Sequence, residues 1–254
     1  MKKYLQDDWQ GNMIIASACL TSKGGRKTNE DSYARAKNAG AYLYVLADGL
    51  GGHDCGELAS QLVVGTMVQA FESGERDLAT LIQGAQDALL EEQQRLNLAE
   101  EMKTTVVCLI IAGGYASWAH VGDSRLYWFV GDTINLHSLD HSVPQVLATS
   151  GEIREEDIRH HEDRNRLTRV MGMEWTKPRY DLSERYKIVE DCAFLLCSDG
   201  FWEWVSDEEM TEGLKASPDP RAWLIKMAEE SKKACTDKTR DNYSAIAVYL
   251  KATK

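Results

Sequence analysis

The sequence lacks any apolar run of the roughly 18 residues that a membrane-spanning helix requires. Its first ten residues, MKKYLQDDWQ, lack the apolar centre of a secretory signal. It also lacks the GK[ST] element of a P-loop and the GxGxxG dinucleotide motif. We therefore expect a cytoplasmic protein with no membrane segment and no nucleotide-binding loop.

Basic residues are few, with 29 Lys and Arg against 40 Asp and Glu, for a net charge of -11. Nucleic-acid-binding proteins usually carry a basic patch, and anionic membranes repel an acidic surface, so neither is an expected partner. The six cysteines match no zinc or redox spacing. Several lie within apolar runs, which predicts reduced, buried thiols in a cytoplasmic protein.

The 254 residues contain no internal repeat and no low-complexity linker, so we expect one domain spanning residues 1–254. Strand-like segments are residues 13–20, 42–47, 104–112, 115–121, 124–130, 193–198 and 243–250. Helical segments are residues 57–71, 78–96, 207–215 and 219–234. Strands and helices fall in separate blocks, which predicts an α+β fold with two facing antiparallel sheets between helix pairs. Short turns at 113–114 and 122–123 predict that the strands from 104 to 130 form one antiparallel meander.

Acidic residues stand at the ends of several strongly apolar strands. Asp48 ends VLAD, Asp199 ends FLLCSD, and Asp241 precedes the closing strand in RDNYSA. Glu30 and Asp31 are adjacent in RKTNEDSYA, and Asp123 lies in VGDSR. Taken singly, each is more typical of a turn residue.

If these strand ends meet, the carboxylates repel one another, and a hard divalent cation such as Mg²⁺ or Mn²⁺ is the usual remedy. Glycine after Asp48 would let its carbonyl approach such an ion. Two ions roughly 3.5–4 Å apart form a known device for attacking phosphorus with an activated water. Arg26, four residues before Glu30, would supply a guanidinium fork for phosphate.

The motifs RKTNED, DGLGGH, GDSR, SDGFWE and RDNYSA occur in this order between residues 26 and 246. In this combination the chain resembles the PPM/PP2C family of metal-dependent protein serine/threonine phosphatases, bacterial type. The resemblance implies the sandwich of two antiparallel sheets between helix pairs. It also implies that residues of about 140–187 form a flap subdomain that borders the cleft and influences substrate choice.

The resemblance assigns the metal ligands. Asp48 would bridge two ions, and Asp199 and Asp241 would complete the shell of the first. Glu30 and the carbonyl of Gly49 would serve the second ion, mostly through water.

Other residues acquire roles in the same way. Asp31 would hydrogen-bond to metal-bound water, and Arg26 would bind the substrate phosphate. Asp123, together with Asp199, resembles the pair that holds a weaker third ion in related enzymes. Trp202 and Trp204 in FWEWV are expected to pack beside a sheet rather than to contact substrate.

One departure from the family concerns the proton donor. Many eukaryotic members have histidine two residues after the bridging aspartate, where this chain has Leu50. His53 and metal-bound water are both candidates to protonate the leaving oxygen, and we favour the water. A structural histidine remains the alternative reading of His53.

The sequence therefore predicts hydrolysis of phosphoserine and phosphothreonine on proteins by direct attack of a water bridging two Mn²⁺ or Mg²⁺ ions. Its partners would be phosphorylated proteins, including a bacterial Ser/Thr kinase whose action it reverses, and we expect a monomer. Two alternatives stay open: an inactive relative that binds phosphoproteins, and a phosphoesterase for small molecules or nucleic acid. Intact acids argue against the first, and the acidic balance argues against nucleic acid.

Overall fold

The computed structural model describes residues 5–9, 13–51, 55–98, 101–235 and 240–252. These residues form thirteen strands: Leu5–Trp9 (β1), Met13–Ser22 (β2), Asp31–Asn38 (β3), Ala41–Leu50 (β4), Lys103–Thr104 (β5), Val106–Ala112 (β6), Tyr115–Val121 (β7), Arg125–Val130 (β8), Thr133–His137 (β9), Asp181–Leu182 (β10), Tyr186–Lys187 (β11), Cys192–Cys197 (β12) and Tyr243–Ala252 (β13). They also form six α-helices: Cys55–Glu72 (α1), Leu78–Leu96 (α2), Val143–Ser150 (α3), Asp199–Trp202 (α4), Asp207–Lys215 (α5) and Pro220–Ala234 (α6).

The strands build two antiparallel sheets. The first has the order β1-β2-β13-β12-β8-β9, and the second has the order β10-β7-β6-β4-β3, with β11 added beside β7 and β5 beside β4. The predicted α+β class with two antiparallel sheets is confirmed.

Strand β4 shows why the layers stack as they do. Its odd-numbered residues Leu43 and Val45 pack against α1 and α2, while Tyr44 and Leu46 pack between the two sheets. Since successive side chains of a strand point to opposite faces, a continuous apolar run is required when both faces are covered. The outer face of the first sheet packs against α6 through Trp223, which is fully buried.

The predicted meander is wrong in its third strand. Strands β6 and β7 pair as expected, but β8 lies in the other sheet, between β12 and β9. The connection Gly122–Asp123–Ser124 crosses from one sheet to the other. Gly122 has a φ of +101°, and a Cβ there would lie 2.6 Å from Thr105 Cγ2, so glycine permits the close crossing.

Between β9 and β12 the chain contains α3, a 3₁₀ turn at Glu155–His160, and the short strands β10 and β11. Both short strands pair with β7 at the margin of the second sheet. In the part of the chain that the structure describes, no helix is both long and apolar enough to cross a membrane.

Candidate active site

Asp31 and Asp48 stand directly opposite each other on the paired strands β3 and β4. The backbone of Asp48 is fixed from the neighbouring strand segment. Its carbonyl accepts hydrogen bonds from the Thr104 hydroxyl (2.7 Å) and the Thr105 N–H (2.8 Å), and its own N–H donates to the Thr105 hydroxyl (3.0 Å). This clamp holds the Asp48 carboxylate at the rim of the second sheet.

Asp199 and Asp241 come from the first sheet. Asp199 follows the end of β12 and begins α4, and Asp241 lies two residues before β13, which pairs with β12. The two segments pack closely, because a Cβ on Gly200 would lie 2.1 Å from the carbonyl oxygen of Asn242. Glycine after Asp199 therefore allows these two acids to approach each other.

Asp123 lies at the crossing between the sheets and is buried. Its backbone carbonyl accepts a hydrogen bond of 2.9 Å from the indole N–H of Trp202. The sheet crossing thus delivers a fifth aspartate to the place where the ends of β3, β4 and β12 meet.

Asn242 organises the loop that carries Arg26 and Glu30. Its amide donates to the carbonyls of Lys23 (2.9 Å) and Thr28 (3.0 Å), and its side-chain oxygen accepts from the Glu30 N–H (2.8 Å). The Arg26 guanidinium donates to Asp241 Oδ2 at 2.8 Å. Arg26 is consequently held at the mouth of the cleft beside a candidate metal ligand.

Gly49 is confined by backbone on two sides. A Cβ at this position would lie 2.2 Å from the Gly56 carbonyl oxygen and 2.7 Å from the Glu30 carbonyl oxygen. The Gly49 carbonyl oxygen and Glu30 Oε2 both lie 3.0 Å from the point that a Cβ on Gly56 would occupy. The two groups predicted to serve a second ion therefore lie on the same side of the cleft.

A cleft of about 230 Å³ opens among these segments. Of the nine predicted site residues, seven line it: Arg26, Glu30, Asp48, Gly49, Asp123, Asp199 and Asp241. Asp31 lies buried at its base, where it accepts a hydrogen bond from the Ser198 hydroxyl at 3.0 Å. His53 lies outside the described residues. Asn165 and Leu167, from the segment between α3 and β10, also line the cleft.

Burial and mutual repulsion raise the pKa values of the carboxylates. Burial, and then the charges of Asp199 and Asp241, raise the pKa of Asp31 from 3.8 to about 7. Burial and Asp241 raise the pKa of Asp199 to about 6. Burial also raises the pKa values of Asp48 and Asp123 well above the usual range, with Asp31 and Asp199 respectively the largest charged contributors. Such a cluster is stabilised by protons or by a bound cation.

The donor set fits a hard divalent cation. Carboxylate and carbonyl oxygens surround the cleft, and these are the ligands that Mg²⁺ and Mn²⁺ prefer. Asp31 Oδ1 is buried beside the cleft and has no hydrogen-bond partner among the described residues, so it is an unsatisfied acceptor.

A separate group, His120, His141 and Asp181, also brings ligand atoms within 4.8 Å of one another. His141 Nδ1 accepts a hydrogen bond from the Gly122 N–H at 3.1 Å, which assigns the ring hydrogen to Nε2, facing Asp181 at 3.2 Å. The Arg169 guanidinium donates to the same carboxylate at 2.9 Å. With Nε2 protonated and a guanidinium beside it, the group is a hydrogen-bonded contact rather than a cation site.

Sequence reasoning missed the residues that hold the acids. Thr104 and Thr105 carry a visible signal, a polar pair directly before the apolar strand β6, but their partners depend on sheet pairing. Lys103 pairs with Leu50 across β5 and β4. Asn242 and Ser198 adjoin predicted ligands in the sequence, and that adjacency was the only signal they offered.

The chain is similar to known protein phosphatases. The family model for protein phosphatase 2C matches residues 24–237. The serine/threonine protein phosphatase PstP of Mycobacterium tuberculosis is 33% identical over 209 residues, covering 80% of this chain and 39% of PstP. The serine/threonine phosphatase stp of Listeria innocua is 33% identical over 202 residues, covering 75% of this chain and 79% of stp. The chain thus spans about two fifths of PstP and most of stp.

A crystal structure of the catalytic domain of PstP in complex with two manganese ions superposes with a TM-score of 0.78 at 26% identity, covering 94% of this chain and 99% of that domain. These relatives are named as serine/threonine phosphatases of bacteria. The chain belongs to the protein phosphatase 2C family, which confirms the resemblance found in the sequence. The two manganese ions of the PstP structure support the predicted Mn²⁺ or Mg²⁺ cofactor.

Proposed function

We propose that the protein removes phosphate from phosphoserine and phosphothreonine of proteins, by direct attack of water in a cleft that holds two Mn²⁺ or Mg²⁺ ions. The observation that carries the proposal is the convergence of five aspartates from two sheets on one cleft of about 230 Å³ with an arginine at its mouth. A cleft with this charge suits divalent cations and the phosphoryl groups they bind.

The residues of the cleft would hold two ions, and a third at one side. Asp48, at the centre, would contact both ions, with Asp199 and Asp241 on one side and Glu30 and the Gly49 carbonyl on the other. Asp123, together with Asp199, would hold a third. When bound, such ions polarise phosphoryl oxygens and lower the pKa of coordinated water.

The chain's own groups then orient the reactants. Arg26 would bind two phosphate oxygens with its fork. Its contact with Asp241, which holds the guanidinium at the mouth of the cleft, supports this role. Asp31 offers its unpartnered Oδ1 to the attacking water, while the Ser198 hydroxyl fixes its other oxygen. A serine or threonine oxygen is a poor leaving group and needs a proton, which we assign to water in the cleft rather than to His53.

Substrate choice would fall to the residues around the cleft mouth. We propose that residues 140–187 act as a flap within a single domain, since Asn165 and Leu167 from this segment line the cleft. The substrates would be phosphoproteins of a bacterial Ser/Thr kinase, with the kinase itself among them. This assignment is supported by the names of the relatives, which are serine/threonine phosphatases. The protein would act as a monomer in the cytoplasm.

The proposal is tested by phosphate release from a panel of phosphoserine and phosphothreonine peptides during Mn²⁺ titration. Asp48→Asn and Asp199→Asn should each lower kcat by about 10³-fold or more, since both residues place the reacting groups. Asp132→Asn is the matched control, because Asp132 is an exposed carboxylate in the turn between β8 and β9.

Wild-type kcat in the Asp48 and Asp199 variants would contradict the proposal. So would a wild-type protein that is inert toward every phosphopeptide but hydrolyses phosphorylated metabolites with a higher kcat/KM.

A further inference from the structure

A layer of buried side chains lies behind Asp123 and Asp199, on the side away from the cleft. It contains Trp202, Arg125 and Asp140, which are 2%, 5% and 5% exposed. None of the three lines the cleft. They therefore cannot contact substrate or ions in the cleft directly and can act only through the residues they hold.

Trp202 connects two candidate metal ligands. It closes the single helical turn Asp199–Trp202, so Asp199 and the indole belong to one short rigid element. The indole N–H donates a hydrogen bond of 2.9 Å to the backbone carbonyl of Asp123. Asp123 and Asp199 lie 76 positions apart in the chain, and this bond fixes one relative to the other.

Arg125 in turn fixes the indole ring. Its guanidinium carbon lies 3.7 Å from the centre of the Trp202 ring system. The fork of the guanidinium is held by both oxygens of Asp140, at 2.8 and 2.7 Å, and by the Tyr127 hydroxyl at 3.0 Å. A buried guanidinium that is hydrogen-bonded in its own plane presents a flat cationic face, which holds an aromatic ring in one orientation.

We propose that Trp202 and Arg125 are positioning residues that hold Asp123 and Asp199 at the spacing needed to share one divalent ion. The proposal rests on the ligand assignment made above for the phosphatase function. It predicts that removing the indole N–H weakens the binding of an ion without removing any ligand.

Trp202→Phe is the informative variant, since it deletes the hydrogen-bond donor and retains an aromatic ring beneath Arg125. Trp223→Phe is its matched control. Trp223 is fully buried in the same hydrophobic cluster, and its indole N–H donates a bond of the same length, 2.9 Å, to the Met210 carbonyl. Both variants lose one buried bond of the same kind, but Met210 is not a ligand.

Bound Mn²⁺ is measured by titration, with free Mn²⁺ followed by electron paramagnetic resonance, and thermal unfolding is followed by circular dichroism. We expect Trp202→Phe to weaken the binding of one Mn²⁺ ion by about tenfold or more. This is the usual effect of losing an outer contact to a metal ligand. Trp223→Phe should bind Mn²⁺ as the wild type does, with a comparable loss of unfolding temperature. Asp123→Asn should weaken the same ion.

Arg125→Lys keeps a positive charge opposite Asp140 but loses the planar face. It should weaken the same ion, and in the Trp202→Phe background its further effect should be smaller than in the wild type, because both changes act on one contact.

The proposal is overturned if Trp202→Phe binds Mn²⁺ as tightly as Trp223→Phe, or if Asp123→Asn binds as the wild type does. If Arg125→Lys binds Mn²⁺ as the wild type does, Arg125 is not a positioning residue. A weakened ion in Trp202→Phe, found together with no phosphatase activity in the wild type, would support the positioning and overturn the proposed function. The two ideas therefore fail separately.

Discussion

Asp31→Asn should stabilise the metal-free protein in EDTA at neutral pH, although the substitution alters the candidate site. Asp31 is buried opposite Asp48, and its pKa is raised from 3.8 to about 7 by burial and by neighbouring carboxylates. Above that pH, the wild-type protein in EDTA must hold another negative charge inside the cluster. Asparagine has nearly the same shape and no charge, so the variant avoids this cost.

The direction and the size of the change in unfolding free energy follow from proton linkage. Between pH 4 and pH 7 the folded state keeps a proton on Asp31 that the unfolded chain has lost, so stability falls as the pH rises through this window. At about 1.4 kcal/mol per pKa unit, the difference between 3.8 and about 7 corresponds to about 4 kcal/mol. For a chain of this size that is about 10 °C in unfolding temperature.

The assay is thermal unfolding in EDTA from pH 4 to pH 8, comparing the variant with the wild type at each pH. This comparison is needed because burial lowers the pKa of His141 to about 4, which makes the stability of both proteins rise with pH up to about 6.5. The advantage of Asp31→Asn should be near zero at pH 4 and largest at pH 8. Asp132→Asn, at an exposed position, should show no such trend. If Asp31→Asn unfolds at or below the wild-type temperature at pH 8, the reasoning is refuted.

Three further predictions concern the chain segments that build the cleft. Gly49→Ala should destabilise the protein by about 3 kcal/mol, because the new Cβ would lie 2.2 Å from the Gly56 carbonyl oxygen; Gly65→Ala, in an open helical position, should stabilise by about 1 kcal/mol in the same denaturation assay. Equal effects of these two changes would contradict the packing argument. Arg26→Ala should raise KM for a phosphopeptide by about 10- to 100-fold, the worth of a charge-assisted contact, and change the unfolding free energy by less than about 1 kcal/mol; an unchanged KM would exclude Arg26 from phosphate binding. Asn242→Asp replaces the donors to two carbonyls with an acceptor and should cost about 2–3 kcal/mol in unfolding and about tenfold or more in kcat/KM. Wild-type kinetics in that variant would show that the loop does not depend on this residue.

The elements that could be predicted are those whose burial is evident from the pattern of apolar residues. Strand β4 is apolar throughout because both of its faces are covered, and α2 shows a capped start at Asp77 followed by helical periodicity. Strand β3, DSYARAKN, was missed because it lies at the edge of its sheet and most of its side chains are only half-buried. The placement of β8 in the opposite sheet also escaped prediction, since a two-residue Gly-Asp turn normally joins strands of one sheet.

Asp48 and Asp199 could be singled out because each ends an apolar strand, whereas Glu30, Asp123 and Asp241 acquired their roles from the resemblance to the family. The supports of these acids could not be predicted, because Thr104, Asn242 and Trp202 act on backbone atoms of distant residues. A hydrogen bond to a carbonyl leaves no trace in the identity of the residue that accepts it. Only the fold shows which carbonyl each side chain reaches.

The crossing at Asp123 makes the cleft sensitive to the thickness of the whole sandwich. Asp31 and Asp48 lie on strands of one sheet, and Asp199 and Asp241 adjoin strands of the other. The distances between the two pairs are therefore set by the side chains between the sheets, such as Leu46 and Phe194. Enlarging a residue in that interior would spread the acids apart well before the protein unfolds. Activity and ion binding should therefore depend on the packing between the sheets. Variants far from the cleft should lose ions while their secondary structure stays intact.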